Sequence, residues 1–139
     1  MPSIVVDAGP LIALFKKSDQ HHQTALTFIA GSEAATLVTN LLVVGEVAHM
    51  LSDNHSNLEE CLNWILGNIE IDSNVDIDLP RSIEIARKYR DLLADLADAS
   101  LVALCERRRI SVVASTGSDF DVYRLPKNKK FENVFFAEK

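Results

Sequence analysis

The sequence predicts an α/β fold in three layers, a central parallel sheet with helices on both faces. Three observations carry that prediction. The runs "IVV" at 4–6 and "SVVA" at 111–114 are rich in β-branched residues and read as buried strands. Between them lie stretches whose apolar residues recur every three or four positions, the period of an amphipathic helix. Strand-like and helix-like stretches alternate along the chain, as they do where crossover helices connect parallel strands. The 139 residues, 47% of them apolar, suit one domain over residues 1–139 with a substantial core.

The elements follow in order. Ile4 to Val6 is the first strand. Gly9 and Pro10 start a helix with Leu11, Ile12, Leu14 and Phe15 on its apolar side, and Lys16 to Asp19 break it. Ser18 or Asp19 caps a second helix, with apolar positions Ala25, Leu26, Phe28 and Ile29, and Gly31 ends it. Ala35 to Val38 is the second strand. Thr39 or Asn40 caps a third helix to about Leu51, with Leu42, Val43, Val47 and Met50 on helical spacing. Ser56 or Asn57 begins a fourth, with Leu58, Leu62, Ile65 and Leu66 inward and Trp64 at its edge, ended by Gly67 and Asn68. Ile69 to Val75 includes a strand. Leu79 and Pro80 open a helix with Ile83, Ile85, Ala86 and Tyr89. Asp95 to Arg107 is another, with Leu101, Leu104 and Cys105 inward. Ser111 to Ala114 is a strongly buried strand, and Phe131 to Phe136 holds the last one.

Composition narrows the function. A net charge of −6 argues against a broad polyanion-binding face. Nucleic acid would need a local basic patch here. Cys61 and Cys105 lack the short spacing of a zinc knuckle or redox pair, and both sit in helical apolar patterns. They read as buried free thiols, which fits a reducing cytosol and a cytoplasmic location. No secretory leader is expected, because Asp7 interrupts the apolar start and no basic segment precedes it. No apolar run approaches the roughly 20 residues that span a bilayer, so no membrane partner is expected.

Asp7 poses the chemical question. A strand that reads as fully buried ends on a carboxylate, and ionised carboxylates are costly to bury unpaired. In open parallel sheets, function gathers beyond the carboxyl ends of the strands. Asp119 and Asp121 follow the strand at 111–114, Asp98 begins the helix before it, and Glu46 lies within the third helix between apolar residues. If Asp7, Glu46, Asp98 and Asp119 converge, they form a pocket that needs a cation. Mg²⁺ and Mn²⁺ prefer such oxygen ligands, and can activate water against a phosphodiester.

Four blocks sharpen this: "VVDAGPLIALF", "VVGEVAHML", "DLADASLVALCERRRI" and "STGSDFDVYR". In that order they resemble the PIN-domain family, and more narrowly the VapC-like toxin ribonucleases of toxin–antitoxin pairs. "DQHH" and "FENVFF" resemble further family segments. The resemblance implies a single PIN-like domain of three-layer α/β/α architecture and a Mg²⁺- or Mn²⁺-dependent endoribonuclease hydrolysing RNA phosphodiester bonds. Asp7, Glu46 and Asp98 then match the family's metal-binding and catalytic acids. The fourth block departs from it, since the family pattern Thr-x-Asp reads Ser115, Thr116, Gly117 here. Asp119, before Phe120, keeps the later acid and is the fourth catalytic and metal candidate. The resemblance also implies an RNA substrate, a cognate antitoxin presenting a basic residue to the acids, and a homodimer.

Plainer readings stand beside these. Asp7 also suits a helix cap, and Asp98 an acid in a helix's first turn, with Asp95 one turn earlier on a similar face. Glu46 could pair with a buried Arg, Asp119 could start a helical turn, and Asp121 reads as solvated. Ser115 could hydrogen-bond an acidic ligand or simply make a turn. Arg107, Arg108 and Arg109 suit the negative end of a helix dipole. Arg124, Lys127, Lys129 and Lys130, with Lys16 and Lys17, could grip phosphates beside the metal. The four histidines show no ligand spacing. Receiver domains, Asp-x-Asp phosphatases, glycine-rich nucleotide loops and nucleophile elbows are excluded by absent motifs. The remaining rival is a catalytically degenerate PIN-like module that binds RNA or protein.

Overall fold

A computed structural model describes residues 1–136. In chain order the strands are β1 (Ser3–Val6), β2 (Thr36–Asn40), β3 (Glu70–Asp72), β4 (Val112–Ala114), β5 (Arg124–Leu125), β6 (Lys129–Lys130) and β7 (Glu132–Asn133). The helices are α1 (Ala8–Phe15), α2 (His22–Ala30), α3 (Leu41–Met50), α4 (His55–Asn68), α5 (Val75–Lys88) and α6 (Leu96–Arg108). Five strands form one sheet in the order β3-β2-β1-β4-β7, and β5 and β6 make a separate antiparallel hairpin. Every pairing in the main sheet is parallel, with Ser3 opposite Thr36, Val6 opposite Ala114, Asn40 opposite Asp72 and Val113 opposite Asn133. Helices flank the sheet, giving the α/β fold expected.

The strand order places the site. From β1 the chain winds outward through β2 to β3, then returns to lay β4 on the other side of β1. The winding reverses between β1 and β4, and such a reversal opens a crevice at the strands' carboxyl ends. The Asp7 amide donates to the Ala114 carbonyl at 2.9 Å and closes this junction. Gly9 is needed beside it, because a Cβ at that position would collide with the Thr116 side chain.

The core gathers on Val5, Val6, Val38 and Val113 of the sheet and on α6, whose residues Ala99 to Cys105 are all buried. Cys61 and Cys105 are buried free thiols, as read from the sequence. Asn40, one of the two residues proposed as the cap of α3, is the cap, accepting from the Val43 amide at 3.1 Å.

Some helix details differ from expectation. Helix α5 begins at Val75, with Pro80 inside it rather than at its start. Its first turn is held by Arg107, whose Nε donates to Asp78 at 2.8 Å, a long-range contact that local propensity cannot register. Leu66 is 71% exposed and Ile83 48%, so the inward stripes of α4 and α5 are narrower than the apolar pattern suggests. In α4 only Cys61 and Ile65 are fully buried, and Leu66 lies outside the buried stripe.

The arginines ending α6 form ion pairs. Arg107 binds Asp72 at 2.7 Å and Asp78 at 2.8 Å, while Arg108 binds Glu70 at 2.7 Å and Asp72 at 3.1 Å. They fasten the end of α6 to β3 and α5. Burial alone would raise the Asp72 pKa, but the Asn74 amide and both guanidiniums outweigh it and hold the carboxyl below the ordinary range.

Two outcomes follow for stability. Gly9→Ala is expected to cost about 1–3 kcal/mol in urea unfolding, and adding Thr116→Ala should recover part of that loss. A carboxyl held low in the fold stabilises above its unfolded pKa of about 4, and that contribution vanishes as pH falls through the folded value. Thermal melts between neutral pH and about pH 2 should therefore lose less stability in Asp72→Asn, each protein being compared with its own neutral value.

Candidate active site

Asp7 sits where β1 gives way to α1 and serves as the cap of that helix. Its Oδ1 accepts from the Ala8 amide at 2.8 Å, and its Oδ2 from the Ser115 hydroxyl at 3.1 Å. Ser115 Oγ in turn accepts from the Gly117 amide at 3.3 Å. Asn133 fixes the Ser115 backbone from β7, accepting from its amide at 3.1 Å and donating to its carbonyl at 3.0 Å. Burial pushes the Asp7 pKa up, the Ala8 and Ser115 hydrogen bonds oppose this, and the charges of Asp95 and Asp119 add to the rise. The net direction is upward.

Asn40 joins the two other helices of the site. It caps α3, which carries Glu46, and donates to Ser100 Oγ of α6 at 3.0 Å. Glu46 is raised by burial, then by the charges of Asp95 and Asp7. Asp98 lies in the first turn of α6, where its amide donates to the capping carboxylate of Asp95 at 2.8 Å. Its pKa is pushed up to about 7, mainly by burial and then by Asp7 and Asp95. The Tyr123 hydroxyl, donating to Asp98 Oδ2 at 3.2 Å, opposes that rise. Tyr123 is fully buried, packed edge-on against Tyr89 and Phe120 with centroids 5.0 and 5.1 Å away.

The Asp7 charge thus acts on both Glu46 and Asp98. Asp119, in the turn Asp119–Asp121, adds its charge at Asp7 and Asp98. Asp95 acts on all three acids, although the sequence blocks favour Asp98 over it. The signal for Asp95 is the Asp-x-x-Asp spacing, which reads equally well as ordinary capping. Tyr123 has no signal beyond its place two residues after Asp121. No Lys or Arg ranks among the main influences on Asp7, Glu46 or Asp98. Among the described residues no three acids, histidines or cysteines are placed so that they could hold an ion together, so the acids form a loose, open set rather than a coordination site.

The expected basic rim is mostly elsewhere. Lys16 and Lys17 follow the far end of α1 and line a cavity of about 580 Å³ with Phe15 and Asn57, away from every acid of the cluster. Arg124 Nη1 donates to the carbonyls of Asp121, Val122 and Tyr123 at 2.7, 3.1 and 3.0 Å, bracing the turn that carries Asp119.

An acidic crevice at the winding reversal of a five-stranded parallel sheet defines the class. Residues 4–125 match the PIN domain, and the chain belongs to that family. In three dimensions it is similar to VapC20 of Mycobacterium tuberculosis, a sarcin-ricin-loop-cleaving toxin. The TM-score is 0.75 at 19% identity, over 86% of this chain and 93% of that one. It is also similar to VapBC2 from Rickettsia felis, determined bound to a DNA fragment from the promoter, with a TM-score of 0.63 at 13% identity over 94% and 98%. For FitAcB from Neisseria gonorrhoeae the TM-score is 0.50 at 14% identity, over 83% and 88%. Identities this low establish the shared fold alone. No curated protein matches the sequence.

The action of Asp7 on Asp98 makes a direct prediction. In metal-free protein, carboxyl NMR should show Asp98 titrating near 7, and Asp7→Asn should move that midpoint downward by removing a like charge. An unchanged midpoint would mean the two acids do not interact.

Proposed function

We propose that this PIN domain is a divalent-metal-dependent endoribonuclease and the toxin of a toxin–antitoxin pair. The observation that carries the reading is that burial raises Asp7, Glu46 and Asp98, that the Asp7 charge raises the other two further, and that no Lys or Arg ranks among the main influences on them. A set of partly buried carboxylates lacking a counter-charge fits a hard divalent ion. Mg²⁺ keeps several of its waters and needs only one or two direct carboxylates, so the remaining acids would act through water.

Asp7, Glu46 and Asp98 would hold Mg²⁺ or Mn²⁺, with Asp119 and Asp95 beside them. Bound there, the ion would supply Lewis acidity, generating a nucleophile from water and stabilising charge on the phosphate oxygens. The chain's own contribution is orientation. Ser115 and the Ala8 amide hold Asp7 at two oxygens, and Tyr123 holds one oxygen of Asp98. Asn40 ties the helix of Glu46 to that of Asp98. At Gly117, where the family pattern carries an acid, a Cβ would meet nothing within 4 Å.

The fold's likeness to VapC20 and to the VapBC2 assembly supports RNA as substrate and an antitoxin as partner. A basic side chain of that antitoxin, placed at the acids, would supply the charge they lack. A homodimer belongs to the same reading.

Cleavage of a mixed structured-RNA pool tests the reading. Purified protein should cut with Mg²⁺ or Mn²⁺, not with EDTA, and Asp7→Asn and Asp98→Asn should fall to background while keeping their fold by circular dichroism. Retained cleavage in both variants would contradict the assignment. Glycine at 117 and the open cluster favour one other reading, a degenerate PIN module. That reading predicts RNA binding with no cleavage in any metal.

A further inference from the structure

The far end of α6 carries a feature the acidic site does not use. Arg109, Lys127 and Lys129 line a cavity of about 400 Å³ whose apolar part includes Cys105 and Leu125. One carboxylate, Glu106, also lines it. Arg81 clamps that carboxylate with two hydrogen bonds of 2.8 and 2.9 Å, so its charge is already balanced. Among the described residues, none of the three cations makes an ion pair. The cavity is therefore positive on a chain of net charge −6.

The backbone there adds a second, independent observation. Arg109 (φ 57°), Lys127 (φ 64°) and Asn128 (φ 60°) all occupy the left-handed region. That region disfavours side chains with a Cβ, and glycine would occupy it without strain. At Arg109 this is the cap that ends α6, its amide meeting the Cys105 and Glu106 carbonyls, while at Lys127 a charged side chain is kept at a steric cost in the turn between β5 and β6.

The cavity and the acidic cluster lie at opposite ends of α6, joined by the segment 123–127 that runs between them. Tyr123 touches Asp98 near the start of α6, and the chain then runs through Arg124 and Leu125 into the turn that carries Lys127. Asp98 and Arg109 lie on one helix and its cap, roughly 16 Å apart at the helical rise.

We propose that the Arg109–Lys127–Lys129 cavity is an anion subsite that holds a backbone phosphate of the RNA, a few nucleotides from the bond presented to the acidic cluster. The inference rests on the ribonuclease reading. Its chemistry positions a strand without reading its sequence, since cations grip phosphate equally beside any base.

The test uses the full chain with Asp7→Asn to block cleavage, and fluorescent random-sequence single-stranded RNA as probe. Affinity is measured by anisotropy at a series of salt concentrations. Adding Lys127→Gln and Lys129→Gln should lower the slope of log K against log salt by about 0.7, the value for one single-strand phosphate that is no longer neutralised. Lys16→Gln with Lys17→Gln removes the same charge elsewhere and should leave the slope unchanged. Lys127→Gly separates binding from folding, because it should raise the melting temperature by relieving the left-handed residue while weakening RNA binding. Tight binding with an unaltered slope in the Lys127/Lys129 variant would overturn the subsite and leave the nuclease reading standing. Absence of RNA binding in the Asp7→Asn parent would overturn the subsite, and the RNA-pool cleavage assay would then decide separately whether the nuclease reading falls with it.

Discussion

The parallel pairing of β1 with β4 is the constraint on which the acidic end of the molecule depends. It brings Asp7 and Ser115, more than a hundred positions apart in sequence, into hydrogen-bond contact. It also brings the turn after β1 so close to the Thr116 side chain that a Cβ at position 9 would collide with it. The helices that carry Glu46 and Asp98 are set against one another by the Asn40 side chain, which links α3 to α6, and the Asp95 cap begins α6. The crevice is thus a property of strand order, with the helices delivering charge into it.

Charge is then separated along the molecule. Carboxylates collect at the start of α6 with no Lys or Arg among the main influences on them. At its end, Arg107 and Arg108 are engaged by β3 and α5, and Arg109 faces a cavity with two lysines. The ion pairs at that end are partly buried and geometrically complete, so breaking one leaves a carboxylate stranded. The acids at the other end are the reverse case. They are destabilising as they stand, with Asp98 raised to about 7, and a bound cation would make their gathering favourable. A fold that maintains such a cluster beside a well-paired network accepts local instability where chemistry would occur.

Much of this is legible in the sequence. Strands β1 and β4 are visible because buried parallel strands are short apolar runs, whereas β3 (Glu-Ile-Asp) and β7 (Glu-Asn) lie at the sheet's edges and carry little apolar signal of their own. Asp7, Glu46 and Asp98 stand out because each interrupts or adjoins an apolar pattern that should exclude a charge. Tertiary partners are what stays hidden. Arg107 and Arg108 read as a dipole-complementing helix end because nothing local reveals that Asp72, Asp78 and Glu70 face them. Pro80 reads as a helix start because the turn before it is stabilised from α6 rather than from within. Tyr123 is invisible as a site residue, and Asp95 is visible only as a rival to Asp98, for a related reason. A tyrosine that packs and a cap that orders a helix look the same in sequence whether or not they also face an acid.

What most directly decides whether the crevice is a metal centre is calorimetric titration of Mn²⁺ into the purified protein. Saturable binding to the unmodified chain, lost in Asp7→Asn and Asp98→Asn while both remain folded, is the predicted result. Heat that is absent, or identical in all three proteins, would mean that these carboxylates are gathered for some purpose other than holding a divalent ion.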